Sequence, residues 1–216
     1  MDIQERLTAF ALLGATWVMW LLLALSVISV AVILERLYFF ASTRDNIDDL
    51  RRRLVEALDR GDRDKASAAL AASRSVEAMV AQAGLEAAED GSKSAQERIQ
   101  GQQQLARLLM EKNLAFLGTL GNNAPFVGLL GTVIGIIRAF HSLNESQGRV
   151  TAGLMADVGE ALVATAVGIV VALPAVAAFN YFQRLIKARL ARGAALGSDI
   201  LSHLLSTKHS RPHAAE

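Results

Sequence analysis

The sequence predicts an all-α integral membrane protein with three transmembrane helices and a helical domain between the first and the second. Three observations carry that prediction. No Asp, Glu, Lys or Arg occurs from Leu7 to Leu34, from Asn113 to Ile137 or from Ala161 to Gln183, and a bilayer-spanning helix needs about 20 mostly apolar residues. Hydrophobic residues make up 52% of the chain, above the roughly 45–50% usual in soluble domains even with Gly included. Only 3 prolines and 2 tyrosines interrupt a chain rich in Ala and Leu, a composition that favours helix over sheet.

Charge and cysteine content exclude several functions. The 22 Lys and Arg nearly balance the 21 Asp and Glu, so no polyelectrolyte surface points to nucleic acid. There is no cysteine, which removes disulfides, thiolate catalysis and Cys-based metal or Fe–S sites.

The first window is the most apolar. A short segment at 1–14, with Ile3, Leu7 and Phe10 spaced among polar residues, fits a periplasmic or interfacial lead-in. Transmembrane helix 1 is expected at 15–40. A cleaved signal peptide is the competing reading. The acidic Asp2 and Glu5 before the run, its length, and its Glu35-Arg36 end without a small-residue cleavage site favour a retained anchor.

The helical domain at 41–112 reads as several pieces. Asp45 is placed to N-cap a helix with Ile47, Leu50, Leu54 and Leu58 on one face, ending at Gly61. Asp62 and Ser75 start two more pieces. Ser94 and Glu97 have the spacing of a capping box, and the helical pattern continues from there into the second window. One long helix is therefore expected from about Ser94 across the membrane, with transmembrane helix 2 at 113–142. After a loop at 143–157, helix 3 spans 158–183 and projects onward through about Leu205. The tail from Thr207, with Pro212, is expected to lack structure.

Orientation follows from Lys and Arg near the helix ends. Arg6 is the only basic residue before helix 1, whereas 41–112 carries twelve. Arg138 and Arg149 flank the short loop, and Arg184, Lys187, Arg189, Arg192, Lys208 and Arg211 follow helix 3. The N-terminus and the 143–157 loop are thus expected outside, in the periplasm, with 41–112 and 184–216 in the cytoplasm.

Helices 2 and 3 each carry a stripe of small residues: Ala124, Gly128, Gly131 and Gly135 on the first, Ala161, Thr165, Gly168 and Ala172 on the second. Small faces let helix backbones approach closely in lipid, and packing of the two helices against each other is the simplest use of these stripes. Thr132 and Thr165 are the hydroxyls within them. Such hydroxyls either bond their own helix backbone or serve a polar path. Glu160 is the carboxylate at the membrane end of helix 3, either solvated among head groups or facing the bundle interior. A proton path through hydrocarbon needs a group that binds and releases protons, and the three windows contain none. A protein of this kind that moves protons must borrow its central carboxylate from a partner.

The run Ala124-Pro125-Phe126-Val127-Gly128-Leu129-Leu130-Gly131-Thr132-Val133-Ile134-Gly135-Ile136-Ile137, followed by Glu160-Ala161-Leu162-Val163-Ala164-Thr165-Ala166-Val167-Gly168-Ile169, then Leu173-Pro174 and Asn180, resembles the signature of the ExbB/TolQ/MotA proton-channel family. Two separated motifs match in order and spacing. Three spanning helices with an insert between the first two resemble the ExbB/TolQ branch, since MotA-type members have four. The resemblance implies a homo-pentamer in the bacterial inner membrane around the single transmembrane helices of two ExbD/TolR-like partner subunits, which carry the missing Asp. It implies coupling of the proton-motive force to mechanical work at the cell envelope. It implies that Thr132 and Thr165 line the proton path, with Glu160 at its outer entrance. Gly128, Gly131, Gly135, Ala161, Gly168, Ala172, Pro125 and Pro174 are then expected to serve helix packing and the partner interface. No cofactor or metal is implied.

Other functions lack their machinery. An intramembrane enzyme needs a nucleophile with a base, or a metal set, yet none of His141, His203, His209 and His213 lies in a spanning window. A self-sufficient channel needs its own mid-membrane ionisable groups. A non-conducting membrane scaffold is the alternative that the sequence leaves open.

Overall fold

The computed structural model describes residues 14–209, and side chains through Ser206. The described chain is helical: α1 (Thr16–Ser42), α2 (Ile47–Asp59), α3 (Arg63–Ala71), α4 (Val76–Glu86), a 3-10 turn (Ala87–Asp90), α5 (Ser92–Glu111), α6 (Leu114–Glu145) and α7 (Ala152–His209). The lead-in at 1–13 and the tail at 210–216, with Pro212, lie outside the described residues. Helix α7 runs past Thr207 to His209, two residues beyond the expected start of the tail.

Three of these helices, α1, α6 and α7, are long and apolar enough to cross a membrane. Large apolar side chains lie exposed along them, including Val27, Val30 and Leu34 on α1, Phe126 and Val133 on α6, and Val170 and Leu173 on α7. A helix apolar all round is at home in lipid or in a protein core, not against water.

The chain divides into two units. Unit one comprises the chain through Glu35 and Asn113–Tyr181; unit two comprises Arg36–Lys112 and the chain from Phe182. Unit one is a packing of the first part of α1, all of α6 and the first part of α7. Its contacts rest on missing side chains. A Cβ on Gly128 would lie 2.8 Å from the Ala164 carbonyl oxygen, and one on Gly168 would lie 2.7 Å from the Ala124 oxygen and 3.0 Å from the Gly128 Cα. Gly131 and Gly135 meet Ala164 and Ala161, and α1 packs Val18 against Gly131. Pro125 and Pro174 sit inside helices that stay continuous. Each removes one backbone donor.

Unit two is a bundle of α2–α5 with the ends of α1 and α7. Its core joins Leu50, Leu54 and Leu58 of α2, Leu70 of α3, Ala81 and Leu85 of α4, and Leu196 and Ile200 of α7. Local signals set the helix starts. The Asp62 carboxylate accepts from the Lys65 backbone N–H at 3.1 Å, and the Ser75 hydroxyl accepts from that of Ala78 at 3.1 Å, as N-caps do. Gly61, at φ +70°, supplies the left-handed turn after α2 that favours glycine.

Three sequence expectations are corrected. The N-cap of α2 is Asn46, which accepts from the Asp49 N–H at 3.3 Å; Asp45 lies one residue before and accepts from the Asn46 N–H at 2.7 Å. The capping box at Ser94 does not form. Helix α5 begins at Ser92 behind Gly91, whose φ of +103° turns the chain earlier and leaves Ser94 and Glu97 inside the helix. The long helix from Ser94 is also broken. Lys112 is extended, with ψ 131°, and Asn113 adopts a left-handed conformation at φ 63°, which Asn tolerates better than most residues. Helix α6 thus starts afresh at Leu114. The projection of α7, by contrast, is unbroken from Ala152 to His209.

Candidate functional site

Hydrogen bonds and an ion pair between side chains of different helices in unit one fall at two places. At the first, Thr132 of α6 and Thr165 of α7 are hydrogen-bonded hydroxyl to hydroxyl. Both also reach the carbonyl oxygen of Gly128, Thr132 at 3.3 Å along its own helix and Thr165 at 3.1 Å across the interface. The crossing bond depends on Gly128, because any side chain there would occupy the space that brings α7 close. Three oxygens thus form a triangle with only two hydroxyl protons to share among three contacts. One edge is always without a proton, and hydroxyl lone pairs remain open to an outside donor. Both threonines are half-buried, so the triangle is within reach of a neighbouring molecule.

The second place is the α6–loop–α7 end. The Thr16 hydroxyl donates to Glu160 Oε1 at 2.8 Å, tying α1 to the start of the α7 span. One turn earlier, Asp157 pairs with Arg138 at 3.3 Å and accepts from the Ser142 hydroxyl at 3.2 Å. Of the carboxylates at this end, the sequence singles out Glu160. Asp157 was legible only as one more charged residue before the window, since nothing in the spacing marks Arg138 as its partner.

Of the remaining candidates, Gly128, Gly131, Gly135, Ala161, Gly168 and Ala172 are buried between helices of this chain. Pro174 is exposed and Pro125 half-buried. The small-residue stripes therefore pack α6 on α7 within one subunit. The triangle can hydrogen-bond and orient, but threonine does not titrate in the physiological range.

The sequence profile of the MotA/TolQ/ExbB proton channel family matches residues 72–193. The chain belongs to that family. The match takes in α4, α5, α6 and α7 as far as Gly193. Among individual proteins, the "Putative biopolymer transport protein ExbB-like 2" of Helicobacter pylori (strain ATCC 700392 / 26695) is 42% identical over 77 residues, 36% of this chain and 51% of that protein. The Tol-Pal system protein TolQ of Pseudomonas aeruginosa is 45% identical over 74 residues, 34% of this chain and 32% of that protein. The biopolymer transport protein ExbB of Neisseria gonorrhoeae is 42% identical over 94 residues, 44% of this chain and 43% of that protein. The chain thus spans from 32% to 51% of the length of these relatives. Membership in this family, with three helices long and apolar enough to cross a membrane, makes the chain a membrane protein of the MotA/TolQ/ExbB proton channel family.

Proposed function

We propose that this subunit works as one wall of a proton path in the bacterial inner membrane, completed by a single-span partner of the ExbD/TolR type. The observation that carries the reading is the Thr132–Thr165–Gly128 triangle. It is a cluster of oxygens with open lone pairs on a half-buried face, in a unit whose uncharged windows hold no Asp, Glu, Lys, Arg or His. Both hydroxyls donate within the triangle yet keep lone pairs for a titrating group that approaches the half-buried face.

In this reading five copies surround the partner helices, and Thr132 and Thr165 steady the partner's carboxyl as it takes up and releases a proton. Glu160, held by Thr16, sets the field at the outer entrance. Gly128, Gly131, Gly135, Gly168, Ala161 and Ala172 keep the two helices close enough for the triangle to form. Pro125 and Pro174 flank the partner-facing surface. The N-terminus lies in the periplasm and the segments 41–112 and 184–216 lie in the cytoplasm, as the distribution of Lys and Arg favours. The proton-motive force becomes mechanical work at the cell envelope.

Proton flux into vesicles tests this directly. Vesicles holding this chain with an ExbD/TolR-type partner are expected to conduct, while this chain alone, or with a partner whose membrane Asp is changed to Asn, is not. Absence of flux with the intact partner would make the subunit a non-conducting scaffold.

A further inference from the structure

Unit two contains a cavity of about 570 Å³ that nothing above uses. Its lining includes Arg44, Asp48, Glu77 and Arg192, with Asp45 and Arg189. Glu77, in the first turn of α4, is only 2% exposed, and its Oε2 is buried without a hydrogen-bond partner among the described residues. A buried carboxylate oxygen left unpaired is costly, so a hydrogen-bond donor belongs there. Arg189 does not supply it. Its guanidinium is committed to the carbonyl oxygens of Thr43 and Phe40, at 3.1 and 2.7 Å, and to the Thr43 hydroxyl at 2.7 Å. The side chains of Arg44 and Arg192 make no hydrogen bond or ion pair among the described residues.

The charges narrow the ligand. Three guanidinium groups and three carboxyl groups line one cavity. A simple anion would meet Asp45, Asp48 and Glu77, and a simple cation would meet the three arginines. A water molecule would satisfy Glu77 and leave Arg44 and Arg192 without an anion. A compact zwitterion, with an N–H-bearing cation beside an anionic group, answers both halves. The position in the chain narrows the source. Arg44 lies two residues beyond the end of α1, whose last turns carry Leu37 and Tyr38 as exposed apolar residues, 44% and 77% accessible, of the kind found where a helix leaves a bilayer. Basic side chains just beyond such a point are placed to meet lipid head groups.

We propose that this cavity binds the head group of an ethanolamine phospholipid, with the phosphate on Arg44 and Arg192 and the primary ammonium donating to Glu77. The site would pin a lipid at the α1–α2 junction. It rests on the chain being a membrane protein, not on the proton path proposed above, and the binding test below is independent of proton flux.

The full chain, purified and stripped of lipid, is titrated with phosphatidylethanolamine, phosphatidylcholine and phosphatidylglycerol of identical acyl chains, and retention is read by native mass spectrometry. Phosphatidylcholine is the informative control, because its quaternary ammonium keeps the charge but has no N–H to give Glu77. The ethanolamine lipid is expected to bind about tenfold more tightly than either other lipid, a discrimination typical of one well-made polar contact. Glu77→Gln is expected to bring it down to the phosphatidylcholine level, and Arg192→Gln to weaken all three together. Equal retention of the three lipids by the unmodified chain overturns the proposal, and that comparison does not depend on any variant folding. Soluble phosphoethanolamine provides the last arm. Displacement of the lipid only at large excess supports a lipid head group as the ligand. Displacement at equal concentration overturns the lipid as the source, and no displacement at all overturns the head group as the part recognised.

Discussion

Thr132 and Thr165 face each other across the α6–α7 interface and share one acceptor, the carbonyl oxygen of Gly128. Residues in one hydrogen-bonded group act together, so their substitutions do not add. Thr165→Val keeps the shape and removes the hydroxyl. It is expected to abolish energy transduction while leaving assembly with the partner intact, and Thr132→Val in the same chain is expected to add little. Thr165→Ser is expected to restore most of the activity. Wild-type activity of Thr165→Val in a growth assay dependent on the complex would refute the role assigned to the pair.

The closeness of the two helices makes a second, structural prediction. Gly168→Ala places a methyl group against the backbone of Ala124 and Gly128, and backbone cannot rotate away as a side-chain tip can. The cost is expected to be about 1–3 kcal/mol, the range for overfilling a packed interface. Gly159, in the same helix, has nothing within 4 Å of where its Cβ would lie. Gly159→Ala is expected to be neutral or to stabilise by up to about 1 kcal/mol through helix propensity. Thermal unfolding of the two variants in one detergent checks the contrast, and equal effects would show that the close approach is not maintained in solution.

Much of this architecture is legible in the sequence because it follows from patterns with a single physical cause. Uncharged windows locate the spanning helices, small residues at helical spacing mark the α6–α7 contact, and Asp62 and Ser75 announce helix starts through their side-chain acceptors. What escapes is decided by competition between near-equal local options. Gly91 outbids Ser94 as the start of α5, since a glycine free to adopt positive φ turns the chain two residues sooner. Lys112-Asn113 breaks a helix that periodicity alone would continue. The site is legible to a similar depth. The threonines stand out as hydroxyls in an apolar stripe, but their common acceptor is a backbone oxygen that no residue type advertises. Arg189 and Glu77 look like any other charges of a solvated helix until tertiary packing buries them.

Glu160 is expected to matter more than the other carboxylate at a window edge. It accepts a hydrogen bond from Thr16 and starts the α7 span, so its loss alters both the polarity of that end and the α1–α7 tie. Glu160→Ala is expected to impair complex-dependent growth more than Glu35→Ala, and Thr16→Ala to give a smaller defect of the same kind. Equal tolerance of Glu160→Ala and Glu35→Ala would remove Glu160 from the path.

Arg189 anchors unit two by closing the end of a helix from outside. Only 6% exposed, it donates to the carbonyl oxygens of Phe40 and Thr43 at the end of α1 and lies 5.1 Å from the centre of the Phe40 ring. A cation there satisfies terminal carbonyls and complements the negative end of the helix dipole. Arg189→Ala leaves those oxygens buried and unpaired, at an expected cost of about 1.5–3 kcal/mol, the usual worth of hydrogen bonds to a charged group. Arg51, whose two bonds to Asp199 are made at the surface, is the control. Arg51→Ala is expected to leave the unfolding temperature almost unchanged, as exposed ion pairs contribute little.

The burial of Glu77 gives a pH signature with a definite sign. Desolvation is the main influence and raises its pKa above the ordinary 4.5, against the opposing pull of a hydrogen bond from its own backbone N–H and of Arg189 and Arg192; Asp45 adds to the rise. Between the unfolded and the folded pKa the folded protein holds a proton that the unfolded chain has released. Stability contributed by this group is therefore complete below the unfolded value and is lost as pH rises through the folded one. In lipid-free protein, the unfolding temperature of Glu77→Gln is expected to fall less than that of the unmodified chain as pH rises from 4.5 toward neutrality. A bound ethanolamine head group places an ammonium beside the carboxylate and favours its charged form, so saturating the unmodified chain with that lipid is expected to flatten its profile toward the variant's. Parallel profiles for the two lipid-free proteins would mean that Glu77 is hydrated in solution and that no proton is retained there on folding.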